Sequence, residues 1–284
     1  MGILDRAISV FRATAPGTPI PLAGPPGLTR AEVEARLASA GGSRSLAGLN
    51  LCGADLSAID LEAVDLTGAR LRNTNLRGAN LRSANLTRAQ LCGADLTGAN
   101  LEGAVLRDVN CVDTGALQPP VLEGADLSRA VLTGAELAHA NLRGATLTGA
   151  VLNEAGLGKA DFTGAHAAGA SLHGANLRHA TLANATFSGA TLTGADLTRA
   201  DARGASFSGA TLSRANLTGI VLEGADLSSA NLQDAQLDGA VLRGASLRAA
   251  VFAGADLDGV LLDGADLESA SFAGAHNYRA PALA

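Results

Sequence analysis

The sequence predicts an all-β solenoid, a chain that coils around one narrow, dry axis and leaves its polar side chains outside. Three observations carry this. One large apolar residue recurs every five positions from Leu46 to Cys111 and again from Leu117 to Phe272. Ala stands two places before nearly every such centre; from Ala125 to Ala275 only Ile220 and Val260 depart from it. The composition is 47% hydrophobic but only 2% aromatic, with no Trp and 35 Gly. A globular core is filled by large side chains arriving from many directions, so this bias points to repeats instead.

A period of five excludes the regular alternatives. Five residues turn an α-helix by about 500°, a net 140°, which scatters successive Leu around the axis and leaves no apolar stripe. A plain strand repeats every two residues, so an odd period sends alternate Leu to opposite faces. A chain that bends the same way at each repeat turns every Leu toward a common axis. The Ala two places earlier points inward as well, where only a small side chain fits.

Residues 1–44 carry no repeat. Ile3 to Ala13 is read as a short helix with Leu4, Ala7, Ile8 and Phe11 on one side. Five of the eight prolines follow (Pro16, Pro19, Pro21, Pro25, Pro26), an extended or linker-like composition. Thr29 and Glu32 form a capping box, with Leu28 and Val33 placed as a hydrophobic staple, so a second helix should run from about 30 to 40. Gly41 and Gly42 end it. These short N-terminal helices are expected to cover the first coil, whose open end would otherwise expose Leu and bare strand edges; partner binding is the other use they admit.

The solenoid itself should occupy residues 45–276, with fourteen centres from Leu46 to Cys111 and thirty-two from Leu117 to Phe272. Gly often follows the centre by two places, as in ADLTGANL (94–101) and TLTGADL (191–197). That is the third position of a turn, where type II geometry needs φ > 0 and Gly adopts it freely. Where Arg88, His139, Ser229 or Asp234 replaces Gly, a different turn type is expected. Between Cys111 and Leu122 the register moves by one residue, in a stretch (112–121) holding Pro119 and Pro120; the expectation is a one-residue bulge or small loop at a corner. Residues 277–284 form a tail, in which Tyr278 is placed to lie over the last coil.

The repeated A-(D/N)-L-x-x motif resembles that of the pentapeptide repeat family, over about four-fifths of the chain. The resemblance implies a right-handed quadrilateral β-helix with four repeats per coil, so about 11–12 coils and, at about 4.8 Å per stacked strand, a rod roughly 55 Å long. Residues twenty apart should then stack: Leu127 on Leu147, Phe187 on Phe207, Phe252 on Phe272. The small centres Ala167 and Ala202 should compensate for Phe162 and Phe207 beside them.

Composition and spacing point away from chemistry. Catalysis needs side chains that converge in a concave pocket, whereas the outward residues of a filled solenoid diverge. Neither a catalytic site nor a cofactor or metal site is expected. The three cysteines lack disulfide-framework or metal-ligand spacing: Cys111 reads as a buried small hydrophobe, and Cys52 and Cys92 as outward residues two coils apart. No signal segment and no apolar run of about 18 residues is read, which suggests a cytoplasmic protein without a membrane partner. A net charge of −6 argues against direct contact with nucleic acid.

Two surface features remain. His139, Lys159, His179 and Arg199 fall in one column, and Glu62, Arg82 and Glu102 in another that reads as a charge ladder. More pronounced is the acidic stretch 221–272, with Glu223, Asp226, Asp234, Asp238, Asp256, Asp258, Asp263, Asp266 and Glu268 against only Arg243 and Arg248. These nine are the candidate partner-binding residues of an acidic rod end. Some members of the family resemble B-DNA in width and charge, bind DNA gyrase, and protect it from quinolones or from a producer's own gyrase poison. The resemblance therefore implies a non-enzymatic, DNA-mimicking protein whose partner is DNA gyrase or topoisomerase IV. The chain departs from the best-known of these in having more coils and in lacking their long C-terminal dimerising segment. The alternative is a protein–protein interaction scaffold with an unrelated partner, engaged through the N-terminal helices.

Overall fold

The computed structural model describes residues 27–39, 44–111 and 118–278. From Ser45 to His276 the backbone closes a square, right-handed circuit, with a step of twenty residues everywhere but across 112–117. A parallel bridge joins the residue before each centre to its counterpart one coil on, as in Asp126 to Thr146 and Thr146 to His166. Each repeat makes the same backbone bonds. The Leu127 N–H donates to Thr146 O (2.7 Å), the Arg129 N–H to Thr148 O (3.0 Å), and the Thr146 N–H back to Ala125 O (2.9 Å). A turn closed by the Ala130 N–H on Leu127 O (3.0 Å) follows at once, so every strand is a single bridge long.

The centres and the preceding Ala line the axis. Leu127 and Leu147 lie one coil apart and are fully buried, as are Phe162, Ala167, Phe187, Ala202, Phe207 and Phe252. Phe187 stacks on Phe207 (5.3 Å between centroids, 7° between planes), and Phe252 on Phe272 (4.9 Å, 6°). Phe162 reaches Phe187 at a tilt, 6.2 Å away, over the space that Ala167 leaves. Phe272 is only partly buried, because it sits in the last coil; Tyr278 stacks on its other face at 4.0 Å. Thr74 occupies an Ala place and is fully buried, its hydroxyl donating to Leu51 O at 2.8 Å.

The turns do not vary as their sequences suggest. Arg88, His139, Ser229 and Asp234 have φ between 56° and 62°, the same left-handed conformation as Gly98 at 63° or Gly194 at 66°. The expectation of a second turn type is therefore wrong. A non-Gly residue in this region costs about 1–2 kcal/mol. The N–H of that residue is tied to the next coil, as in His139 N–H to Gly158 O at 2.9 Å, and a changed turn would break the ladder on both sides of it.

The break is also larger than one residue. Asp95 is bridged to Val121 and Asn100 to Asp126, a step of twenty-six. Gln118 takes the place after Cys111, its carbonyl accepting the Gly93 N–H at 2.8 Å. In the ladder Gln118 therefore follows Cys111, and Leu122 resumes the core over Leu96. Leu117 itself lies outside the described residues, as do the expected helix at 3–13 and the Pro-rich segment.

Helix α1 (Arg30–Ser39) lies on the first coil. Thr29 Oγ1 and the Thr29 N–H both meet Glu32 Oε2 at 2.7 Å, Val33 is fully buried, and Leu28 and Leu37 pack beside it. The Leu28 N–H bonds Asn50 O at 2.8 Å, and Arg30 Nη1 bonds Ser57 O at 2.7 Å.

Core and turn should separate in denaturation. Leu147→Ala opens a cavity in a stack without slack and is expected to cost about 2–5 kcal/mol. Gly194→Ala meets nothing within 4 Å of the added Cβ, so its cost is conformational, about 1–2 kcal/mol. Urea midpoints of the two variants check the order.

Candidate partner-binding surface

Apart from Thr74, the polar side chains of the described coils face outward from four sides of the rod. The first side carries residues 136–140 and every further twenty, the second 141–145, the third 146–150 and the fourth 151–155. On each side the residue before the centre is often Asp or Asn, and its work is local. The Asp196 Oδ1 accepts the Thr198 N–H at 3.0 Å, and Asn176 and Asn216 do the same one coil either way. Burial disfavours the charge of Asp196, but the Thr198 hydroxyl and amide and the Arg178 guanidinium, 3.0 Å away, outweigh it and hold the carboxyl below the usual range. Asp95 and Asp161 are held down in the same way by Thr97 and Arg77, and by Thr163 and Arg143.

The nine candidate carboxylates do not form one patch. Glu223 and Asp263 are on the second side, Asp226, Asp266 and Glu268 on the third, and Asp234 on the fourth. Asp263 pairs with Arg243 at 3.1 Å; Asp266 pairs with Arg248 at 3.0 Å, and Glu268 shares that guanidinium. Glu223 adds to the field at Arg203, Asp226 accepts the Ser228 N–H at 2.9 Å, and Asp234 accepts from Gln233. Such exposed pairs contribute little to stability, yet they cancel charge. Asp238, Asp256 and Asp258 share the first side, and none of them pairs with a cation among the described residues. Asp256 accepts the Asp258 N–H at 3.2 Å and Asn277 Nδ2 at 2.8 Å.

The same first side holds the basic column. His139, Lys159, His179 and Arg199 are all exposed and all left-handed, φ 54–62°. Lys159 and Arg199 form no ion pair with any described residue. The Glu62, Arg82 and Glu102 column is a ladder of exposed pairs (3.7 and 3.3 Å), which Arg129 joins at Glu102 (3.3 Å).

The cysteines need correction. Cys92 is buried rather than outward, with Cys111 beside it. Cys111 is only half-buried, its thiol donating to Gln118 O at 3.4 Å. Burial, with Cys92 beside it, pushes that thiol up to about 12, so it is a poor nucleophile. Among the described residues no group of three His, Cys, Asp or Glu is placed to hold a metal, and no helix is long and apolar enough to cross a membrane. A recess of about 270 Å³ at the C-terminal end is lined by Leu257, Val260, Leu261 and Leu262, with Asp258 and Tyr278 as its titratable groups.

Comparison with known proteins agrees with this geometry. The profile named Pentapeptide repeats matches eight overlapping stretches from residue 45 to 276, interrupted only at 115–120. No curated protein is matched by the sequence. Among solved structures, the chain is similar to HetL, a pentapeptide repeat protein involved in heterocyst differentiation regulation in the cyanobacterium Nostoc. The identity is 32% over 86% of this chain and 96% of that one, with a TM-score of 0.35. It is also similar to Rfr23 of the cyanobacterium Cyanothece (33% identity, 34% and 63% of the two chains, TM-score 0.31). A plasmid-mediated fluoroquinolone resistance protein is matched at 19% identity over 74% and 91%, with a TM-score of 0.47.

The corner bond of Asp196 predicts a pH effect. Its lowered native value means that the stabilisation is complete above about pH 4, where unfolded carboxylates are ionised, and is lost as pH falls through the native value. Asp196→Asn keeps an acceptor for the Thr198 N–H but loses the favoured charge, so it should forfeit part of that stabilisation at pH 7 and make acid unfolding less steep. Asp196→Ala should cost about 1 kcal/mol. Urea unfolding at pH 7 and at pH 3 distinguishes them.

Proposed function

Because the chain belongs to the pentapeptide repeat family, we propose that it acts by binding a protein rather than by catalysis. On this reading it presents a DNA-like acidic rod to the basic DNA-binding surface of DNA gyrase or topoisomerase IV, in the cytoplasm. One observation carries it: Asp238, Asp256 and Asp258 form a cluster on the first side that no described cation neutralises, at the end of a straight rod with its charges at regular rung spacing. Complementary potential of that kind steers association with a basic saddle.

One finding favours the other reading, an interaction scaffold for an unrelated partner. Five of the nine carboxylates belong to sides where Arg243, Arg248 or Arg203 offsets them, or bond locally as Asp226 does, and Asp234 stands alone on the fourth side. The acidic surface is therefore smaller than the sequence count suggests.

A supercoiling assay separates the two. The gyrase reading predicts inhibition by micromolar protein, weakened about tenfold or more by Asp238→Lys with Asp258→Lys, while Glu62→Lys, outside the cluster, changes nothing. No inhibition of gyrase or topoisomerase IV at that concentration contradicts it and leaves the scaffold.

A further inference from the structure

Cys92 and Cys111 sit side by side on adjacent coils, where the step of the ladder lengthens from twenty to twenty-six. Gln90 is bridged to Asn110, the Leu91 N–H donates to Asn110 O at 3.1 Å, and the Gly93 N–H donates to Gln118 O at 2.8 Å. Cys92 and Cys111 are therefore diagonal neighbours. They stand about 4.8 Å apart across the rungs and about 3.3 Å along the chain, so about 6 Å between Cα atoms. A disulfide spans about 4.4–6.8 Å.

Alternation alone would part the two thiols, since a centre turns inward and the place after it turns outward. The break changes this. Leu91 and Leu106 are fully buried centres, but Cys111 is only half-buried. Its thiol donates at 3.4 Å to Gln118 O, the oxygen that also accepts the Gly93 N–H, so it lies against the residue that follows Cys92. Arg72, at the turn place of Cys92 one coil earlier, acts on the same thiol, and the Cys92 thiol is within hydrogen-bond reach of it. Cys52 shares that turn place two coils from Cys92, about 10 Å away, and its thiol donates to Arg70 O at 3.6 Å.

We propose that Cys92 and Cys111 are a redox pair, which a peroxide closes into an intramolecular disulfide joining the last coil before the break to the residue where the break begins. Cys111, the more exposed of the two, loses its proton and its sulfur attacks one peroxide oxygen. The O–O bond breaks, water leaves, and a sulfenic acid remains. The Cys92 sulfur then displaces that hydroxyl, which forms the S–S bond and releases a second water. Two thiols thus give two electrons to one peroxide. Burial and the Cys92 sulfur push the Cys111 thiol up to about 12, against the Gly93 N–H and the Arg72 charge, so thiolate is scarce at pH 7 and the first step is slow there. The pair rests as thiols in a reducing compartment and answers sustained peroxide rather than a brief pulse. This stands whether or not gyrase is the partner.

Hydrogen peroxide treatment of the full chain at about pH 9, where thiolate is more abundant, tests it by unfolding, thiol blocking and peptide mapping. Two of the three thiols should be lost together, joined in one linked peptide from a monomeric chain, with Cys52 intact. Dithiothreitol should restore both. Cys92→Ala should give no linked peptide and leave Cys111 as a sulfenic acid that dimedone traps, while Cys52→Ala changes nothing. Ala138 already stands at the turn place of Cys92, so the fold accepts the first variant, and unchanged circular dichroism confirms it. Three free thiols after hours in excess peroxide, cross-links between chains, or a linked peptide containing Cys52 overturns the proposal.

Discussion

The rest of the structure depends on one repeated bond: a centre's N–H donating to the carbonyl nineteen residues on. With its companions at the turn and the strand it fixes the square circuit, and the circuit allows little local choice. Left-handed Arg, His, Lys and Asp are held where Gly would be unstrained, because a relaxed turn would forfeit ladder bonds on two coils. The same constraint explains the break. Across it Gln118 and Val121 rejoin the coil below in full register, in a step of twenty-six residues.

Surface chemistry follows from the same period. Stacking turns a twenty-residue spacing in sequence into neighbours about one strand apart in space, so outward side chains form columns rather than pockets. A column can carry a charge pattern, and that is the only functional information such a rod readily displays.

Much of this was legible in the sequence. The period of five identified Leu127, Leu147 and Phe187 as inward, the family resemblance supplied four repeats per coil, and the Thr29–Glu32 pair located α1. What escaped was whatever depends on a neighbour twenty residues away. Propensity suggested varied turns at Arg88 and His139, because the bond to the next coil is invisible locally. Counting fives suggested a one-residue shift at the break, because a step of twenty-six and a step of twenty-one leave the same remainder. The acidic total of 221–272 overstated the patch, since Arg243 and Arg248 neutralise their stacked partners and the side a residue occupies emerges only on folding. Cys92 is buried with Cys111 beside it, a neighbour from the next coil.

Disulfide trapping tests the register most directly, after the three native cysteines are replaced. Residues that share a bridge lie within the Cα separation a disulfide spans. Asn100→Cys with Asp126→Cys, twenty-six apart across the break, should cross-link on mild oxidation, as should Thr146→Cys with His166→Cys, twenty apart beyond it. Asn100→Cys with Pro120→Cys should not. Cross-linking of the 100–120 pair in place of the 100–126 pair would contradict the ladder and everything placed on its surface.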